Sequence, residues 1–177
     1  MRICFVDIET TAFDAEFGRL LTVAVKPLGG RAEVYSVTKT DRLDAEDFSV
    51  IEPALARINE FDMIVTFNGY YFDVPFLNAR GAYYHLNPIR ADIKHVDLFF
   101  VMKRNFKLAN KSLEAACRFF GIAGKTTLNP RIWAKAHVWN KDAMDYIVKH
   151  NRADVVILER LYNRIVPYLG QIRSVRY

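Results

Sequence analysis

The sequence is poor in cysteine: its 177 residues include two, Cys4 and Cys117. Two cysteines are too few for a disulfide framework and lack the spacing of a zinc site, so both are interpreted as small buried apolar side chains. The chain also lacks a run of about 18 apolar residues, and it carries charges near its N-terminus where a signal peptide would be apolar. These absences argue against a secreted scaffold and a membrane partner, and they predict a cytoplasmic (intracellular) protein.

No internal repeat, low-complexity tract or linker interrupts the chain. Hydrophobic residues make up 51% of the sequence and charged residues 25%, which predicts one compact domain over residues 1–177. The net charge is +5, from 25 basic and 20 acidic side chains. A net positive charge favours a polyanionic partner such as nucleic acid.

Hydrophobic periodicity predicts three strands first, and then helices that alternate with two further strands. The expected elements are a strand at about 2–9, a hairpin at about 19–37 turning at Gly29–Gly30, a helix at about 45–59, a strand at 63–67, a helix at 75–84, a strand at 95–99, helices at 112–120 and 130–138, and a long helix or helix pair from Asn140 to about 168. This order is typical of an α/β protein with a mixed sheet.

The first strand ends in two alternate carboxylates, Asp7 and Glu9. Side chains two residues apart share a face of a strand, so both would stand together at its exit, where their repulsion favours cations between them. The flanking residues are apolar on both faces, which favours a central strand. The alternative is a pair of exposed acids on the solvated face of an edge strand.

The segment from Asn68 to Leu77 follows a short buried strand and is predicted to form a loop at the rim of the sheet. Asn68 and the glycine after it free the backbone to turn, Asp73 can reach the cleft, and aromatic rings including Phe72 offer stacking faces for unpaired bases. The alternative is a plain turn, with Asp73 as a helix N-cap and the aromatic rings in the core.

His150 and Asp154 lie four residues apart in the last predicted helix, a spacing that stacks two side chains on one face. In a functional interpretation, Asp154 is a further metal-binding carboxylate and His150 is the base that deprotonates an attacking water, since histidine titrates near neutral pH. The alternative is a structural pair on the surface or in the core. Asp97, near the end of the last predicted strand, is interpreted as a structural acid bonded to backbone.

Together, the three motifs resemble those of the DEDD superfamily of 3′-to-5′ exonucleases. They are similar to stand-alone predicted ribonuclease H-like exonucleases and to the proofreading domains of family B DNA polymerases. Asp7 and Glu9 match the aspartate-x-glutamate motif, Asp73 matches the acid of the second motif, and Asp154 matches the acid of the third. The resemblance runs from about residue 3 to residue 162. It implies the α/β ribonuclease H-like (DnaQ-like exonuclease) fold, a mixed five-stranded sheet with helices on both faces.

The chain departs from the family pattern at two places. A tyrosine precedes the last aspartate by four residues in one subclass and a histidine precedes it by five in the other, whereas here His150 holds the first position and Lys149 the second. On a helix, these positions are rotated from Asp154 by about 40° and about 140°, so His150 is predicted to face the site. Where many relatives have glycine and leucine, this chain has Ala12 and Phe13. The resemblance implies that Phe13 lies near the terminal bases, and a core phenylalanine is the alternative.

The resemblance also implies a two-metal-ion mechanism. Asp7, Glu9, Asp73 and Asp154 would bind two Mg²⁺ or Mn²⁺ ions about 4 Å apart, with His150 as the general base. The substrate would be a single-stranded 3′ end of DNA and/or RNA, and the product a nucleoside 5′-monophosphate. Substrate contacts are expected from Thr10, Thr11, Phe13, Asn68 and Phe72.

No polymerase or helicase segment is present in the sequence, so the expected protein is a free-standing nuclease or a subunit that meets a protein partner in trans. Two other functions remain open at this point. One is a non-catalytic nucleic-acid-binding module, which the complete set of four acids disfavours because unneutralised carboxylates repel phosphate. The other is an endonuclease of the same fold.

Overall fold

The computed structural model of the chain describes residues 1–38, 41, 46–124 and 129–169. The described strands are β1 Ile3–Thr10, β2 Leu20–Pro27, β3 Glu33–Ser36, β4 Met63–Thr66 and β5 Lys94–Asp97. The helices considered below are α1 Phe48–Ile58, α2 Asp73–Tyr83, α3 Leu98–Asn105, α4 Leu113–Phe119, α5 Pro130–His137 and α6 Lys141–Ile165, with a 3₁₀ turn at Val166–Tyr168. The predicted start of the first of these helices, residue 45, lies outside the described residues.

The strands form one mixed sheet in the order β3-β2-β1-β4-β5. β1 pairs antiparallel with β2 and parallel with β4, and β4 pairs parallel with β5. The central position of β1, covered on both faces, explains why it opens with four consecutive apolar residues, 3–6. Because β1, β4 and β5 run in the same direction, their carboxyl ends lie at the same edge of the sheet.

Hydrophobic side chains pack against both faces of this sheet. On one face, Val6 belongs to a cluster with Ile51 of α1 and Leu77 of α2. On the other face, Phe5 belongs to a cluster with Leu158 of α6. Each cluster includes one of the two cysteines, and both cysteines are buried and free of disulfide bonds, as predicted. The predicted five-stranded mixed sheet with helices on both faces is confirmed.

The last strand ends earlier than its apolar sequence suggests. β5 stops at Asp97, and the following residues from Leu98 begin α3, a helix that the sequence analysis did not predict. The side chain of Asp97 accepts a hydrogen bond from the backbone N–H of Phe99, which is the geometry of a helix N-cap. The prediction of strand through residue 99 was therefore wrong, because a capping acid outweighed the β preference of an aromatic run.

Side-chain caps explain the predicted boundaries of two other helices. Ser112 accepts from the backbone N–H of Ala115 at the start of α4, and Asn140 accepts from that of Ala143 at the start of α6. Gly121 follows α4 with a φ of 68°, a conformation that glycine adopts without strain. Even α6, the longest described helix, is too polar to cross a bilayer, and no described helix is both long and apolar enough to do so.

Candidate active site

Asp7 and Glu9 lie on one face of β1, close to its carboxyl end. The ladder between β1 and β2 shifts between Glu9 and Thr10, so a β-bulge interrupts regular pairing there. Bulges re-aim side chains and are frequent next to active sites. Both acidic residues are half-buried, and β1 has a strand on each side. The alternative of exposed acids on an edge strand is wrong.

Asp73 is the first residue of α2, which starts two residues earlier than predicted. Its Oδ1 accepts a 3.1 Å hydrogen bond from the backbone N–H of Ile8, which lies between the two acids of β1. Phe72 holds the N-cap position and makes no side-chain cap, so the alternative of Asp73 as N-cap is wrong. The preceding turn needs glycine at position 69, because a Cβ there would lie 2.5 Å from the Cβ of Thr66. This tight turn against β4 determines where α2 begins.

The electrostatic surroundings of Asp73 favour a positive ion. Burial, with a further contribution from the negative charges of Asp97 and Glu9, raises the pKa of Asp73 to about 7, although backbone N–H groups, including that of Ile8, oppose the rise. A buried carboxylate beside other acids is stabilised by a proton or by a cation.

α6 packs across β1 and brings the third motif to the same place. His150 and Asp154 are both buried on its inner face. Nε2 of His150 lies 3.7 Å from Oε1 of Glu9 and 3.6 Å from Oδ2 of Asp154. Lys149 is exposed, as its rotation on the helix predicts. The imidazole therefore links acids of two motifs, and the alternative of a surface pair is wrong.

Two further residues of α6, which the motifs did not predict, contact this group. Asn151 is fully buried, and its Nδ2 donates a 2.6 Å hydrogen bond to Oδ2 of Asp7. The ring of Tyr146 stacks on that of His150 with a centroid separation of 6.2 Å and an interplanar angle of 9°. Both residues are three or four positions from another site residue on the helix, and this spacing is the signal that could have found them.

The end of β1 and the β1–β2 loop carry three of the residues predicted to contact substrate, Thr10, Thr11 and Phe13. The hydroxyl of Thr10 donates to the carbonyl of Ala12 at 2.7 Å, and the hydroxyl of Thr11 accepts from the backbone N–H of Arg19 at 3.0 Å. Both hydroxyls therefore stabilise the loop by hydrogen bonds to its own backbone. Phe13 is 83% exposed, so the alternative of a core phenylalanine is wrong.

The β4–α2 turn carries the other two, Asn68 and Phe72. Asn68 is exposed and has a left-handed backbone conformation, with a φ of 65°. The rings of Phe72 and Phe13 meet edge to face with their centroids 6.3 Å apart, so aromatic groups from two loops come together at the residue that directly precedes Asp73. Of the rings that the alternative assigned to the core, Phe76 is buried whereas Tyr71 is exposed.

Asp97 has the structural role predicted for it. Its Oδ1 accepts hydrogen bonds from the backbone N–H groups of Asn68 at 2.8 Å and Phe99 at 2.9 Å, and its Oδ2 accepts from that of Tyr70 at 2.9 Å. Asp97 thus holds the turn that leads to Asp73 and caps α3 at the same time.

The carboxylates at this edge of the sheet have the chemistry of a site for hard divalent cations. Within the described residues, no three His, Cys, Asp or Glu side chains are arranged as a ready-made metal site. The donor set nevertheless fits Mg²⁺ or Mn²⁺, which prefer carboxylate oxygens. Asp73 and Asp154 are buried close to other acids, which leaves negative charge for a cation to compensate. Asp7, Glu9, Asp73 and Asp154 are the residues that would hold such ions.

A mixed sheet in this order, with acids at the ends of parallel strands and on the helix that crosses them, defines the ribonuclease H-like class of fold. A family model described as the RNase H superfamily matches residues 4–166. The chain belongs to this superfamily. The resemblance drawn from the motifs is confirmed at the level of family and fold. No curated protein matches the chain.

Among solved structures, the family B DNA polymerase from the hyperthermophilic archaeon Pyrobaculum calidifontis is similar to this chain, with a TM-score of 0.78 and 21% sequence identity. The match covers 95% of this chain and 25% of the polymerase chain, so the chain spans about a quarter of the polymerase's length. At this identity the likeness establishes the fold. Nucleases of the superfamily act on nucleic acids and in general use divalent metal ions.

Proposed function

We propose that this chain is a metal-dependent 3′-to-5′ exonuclease that removes nucleoside 5′-monophosphates from single-stranded 3′ ends of DNA and/or RNA. The observation that carries the proposal is the position of His150 Nε2, 3.7 Å from Glu9 and 3.6 Å from Asp154. An imidazole among carboxylates is suited to accept a proton from a water molecule at this site. The resemblance of the three motifs to those of DEDD exonucleases supports the same activity.

In this proposal, Asp7, Glu9, Asp73 and Asp154 hold two Mg²⁺ or Mn²⁺ ions. When bound, such ions activate the attacking water and stabilise the charge on the leaving 3′ oxygen. His150 takes the proton from the water. The ring of Tyr146, stacked on the imidazole, keeps it in place. Asn151 orients the carboxylate of Asp7.

The rings of Phe13 and Phe72 support a single-stranded substrate. They come from separate loops and meet at the residue before Asp73, where they could stack on the terminal bases of an unpaired 3′ end. Asn68 contributes polar groups on the same turn as Phe72. Thr10 and Thr11 support substrate binding by shaping the loop that presents Phe13.

The test is digestion of 5′-labelled single-stranded DNA and RNA of one sequence, with Mg²⁺ or Mn²⁺. The expected product is a ladder that shortens from the 3′ end, is abolished by a chelator, and is absent with Asp7→Asn. The faster substrate identifies the preferred sugar. Cleavage of a circular single strand would instead indicate an endonuclease, and tight binding without cleavage would indicate a binding module.

A further inference from the structure

A group of aromatic rings lies on the β4–α2 turn and the first turn of α3. Tyr70, Tyr71, Phe99 and Phe100 form this group, which we call the aromatic platform. The ring centroid of Phe100 is 5.5 Å from that of Tyr71, 5.8 Å from that of Tyr70 and 5.5 Å from that of Phe99. Tyr71 is 68% exposed, and the other three residues are half-buried. The platform therefore presents aromatic surface to the solvent.

The platform is held in place by its own surroundings. The Asp97 carboxylate accepts hydrogen bonds from the backbone N–H groups of Tyr70 and Phe99, one on each of the two segments. The ring of His95 stacks on that of Tyr70 with a centroid separation of 6.2 Å. Because the two segments that carry the rings are already fixed, their backbone loses little conformational entropy when a ligand binds, so this arrangement is suited to binding.

Positive charge continues from the platform along α3. Lys103 and Arg104 are exposed and follow Phe100 by three and four residues, so they lie on the same side of the helix. No Asp or Glu occurs between residues 98 and 113. Flat rings next to cations match the chemistry of unpaired nucleotides, which have planar bases and charged phosphates.

The platform also adjoins the candidate active site. Tyr71 directly precedes Phe72, whose ring contacts Phe13, and Phe72 directly precedes Asp73. The turn that positions a carboxylate of the site thus carries part of the platform as well. A strand with its 3′ end at Asp73 would have these exposed rings within reach of its next nucleotides.

We propose that the aromatic platform, together with Lys103 and Arg104, binds unpaired nucleotides of a single nucleic-acid strand, upstream of the 3′ end that is cleaved. The bases stack on Tyr71 and Phe100, and the phosphates lie against the two cations. The direction of the strand rests on the proposed exonuclease function, whereas the binding itself does not require cleavage. The site gives the protein a preference for longer substrates.

Fluorescence anisotropy of labelled oligonucleotides, measured in a chelator so that no cleavage occurs, tests this site. Tyr71→Ala and Phe100→Ala should each weaken binding of a decanucleotide by about 5- to 140-fold, the effect of losing one stacked base. A dinucleotide has fewer bases available for stacking than a decanucleotide, so its binding should weaken less. Tyr71→Phe keeps the ring face and should retain the affinity of the unmodified protein.

The cations and the control are tested in the same assay. Replacing Lys103 and Arg104 together by Gln should lower the salt slope of decanucleotide binding by about 1.4, the value for two phosphate contacts on a single strand. Phe119→Ala is the matched control, because this ring on α4 is 65% exposed and contacts Phe120. Its affinity should be unchanged.

The outcomes separate this proposal from the proposed function. Oligonucleotide binding that falls in Tyr71→Ala while the unmodified protein cleaves nothing in Mg²⁺ or Mn²⁺ would support the platform and overturn the exonuclease. Metal-dependent 3′ shortening combined with equal decanucleotide affinity in Tyr71→Ala, Phe100→Ala and Phe119→Ala would overturn the platform alone. An unmodified protein that binds no oligonucleotide would also overturn it.

Discussion

The side-chain amide of Asn151 donates a 2.6 Å hydrogen bond to Oδ2 of Asp7, which joins the last long helix to the first strand across 144 positions of sequence. The Asn151 side chain is fully buried, and its Oδ1 has no hydrogen-bond partner within the described part of the chain. An amide donor stabilises an ionised carboxylate in one orientation. The contact therefore sets the direction in which Asp7 can offer its remaining oxygen lone pairs.

We expect Asn151→Ala to lower the cleavage rate by about 10- to 100-fold, the usual effect of losing a partner that orients a metal ligand. The Mg²⁺ concentration for half-maximal activity should rise as well, because Asp7 is no longer held. Metal titrations of the rate measure both quantities. Asn163→Ala, an exposed asparagine on the same helix, is the control and should behave like the unmodified protein. Equal metal dependence in both variants would contradict the positioning role.

Asp154→Asn should reduce cleavage by at least about a thousandfold, because removing a ligand charge costs several kcal/mol of metal-assisted transition-state stabilisation. Far-ultraviolet circular dichroism should show a folded protein, since the substitution keeps the size of the buried side chain. Asp145→Asn, which removes an exposed acid of α6 that pairs with Lys141, is the matched control. A cleavage rate of Asp154→Asn close to that of this control would exclude Asp154 from the metal site.

His150→Gly should lower the cleavage rate by about 10² to 10⁴, the usual contribution of a general base. Added imidazole should restore part of the rate, because the deletion leaves a space of the ring's own shape between Glu9 and Asp154. His85→Asn is the control, since asparagine tolerates the left-handed backbone at that exposed position. A full rate in His150→Gly without imidazole would show that another group accepts the proton.

Asp97→Ala should lower the free energy of unfolding by about 3 kcal/mol, because three backbone N–H groups lose a charged acceptor. Asp97→Asn keeps one side-chain oxygen as acceptor and should lose less. Urea unfolding measures both values, with Asp92→Ala as the exposed control. A loss in Asp97→Ala no larger than in the control would mean that other contacts hold the β4–α2 turn.

His95 makes the stability depend on pH. Burial lowers the pKa of its imidazole below the ordinary value, and the negative charge of Asp97 opposes this in part. Its Nε2 lies 2.8 Å from the hydroxyl of Thr66. Because the folded-state pKa is below the unfolded-state value near 6.5, the unfolded chain takes up the proton first as pH falls. The contribution of His95 is therefore complete above about pH 6.5 and declines below it.

Urea unfolding of the unmodified protein and of His95→Gln, from about pH 7.5 down to about pH 5, isolates this contribution. The unmodified protein should lose more stability than the variant as the pH falls, since glutamine does not titrate. Parallel curves for the two proteins would show that His95 takes up its proton equally in the folded and unfolded states.

Features that depend on neighbouring residues could be predicted from the sequence, whereas features that depend on contacts formed in the fold could not. β1, with Asp7 and Glu9 on one face, could be predicted because strand periodicity is a property of neighbouring residues. The caps at Ser112 and Asn140 were predictable for the same reason. α3 was missed because the aromatic residues after Asp97 favour a strand by themselves, and the cap that starts the helix is visible only when its hydrogen bonds are formed.

The sequence by itself determined the superfamily, the α/β class and the acids of the three motifs, because each motif consists of residues close together in the sequence. The tertiary structure decided which groups meet. It set the bond from Asn151 to Asp7, the position of His150 between Glu9 and Asp154, and the joining of the β4–α2 turn to α3 through one carboxylate. These contacts join residues far apart in the chain, and parallel strands and a crossing helix bring them together only when the whole sheet has formed.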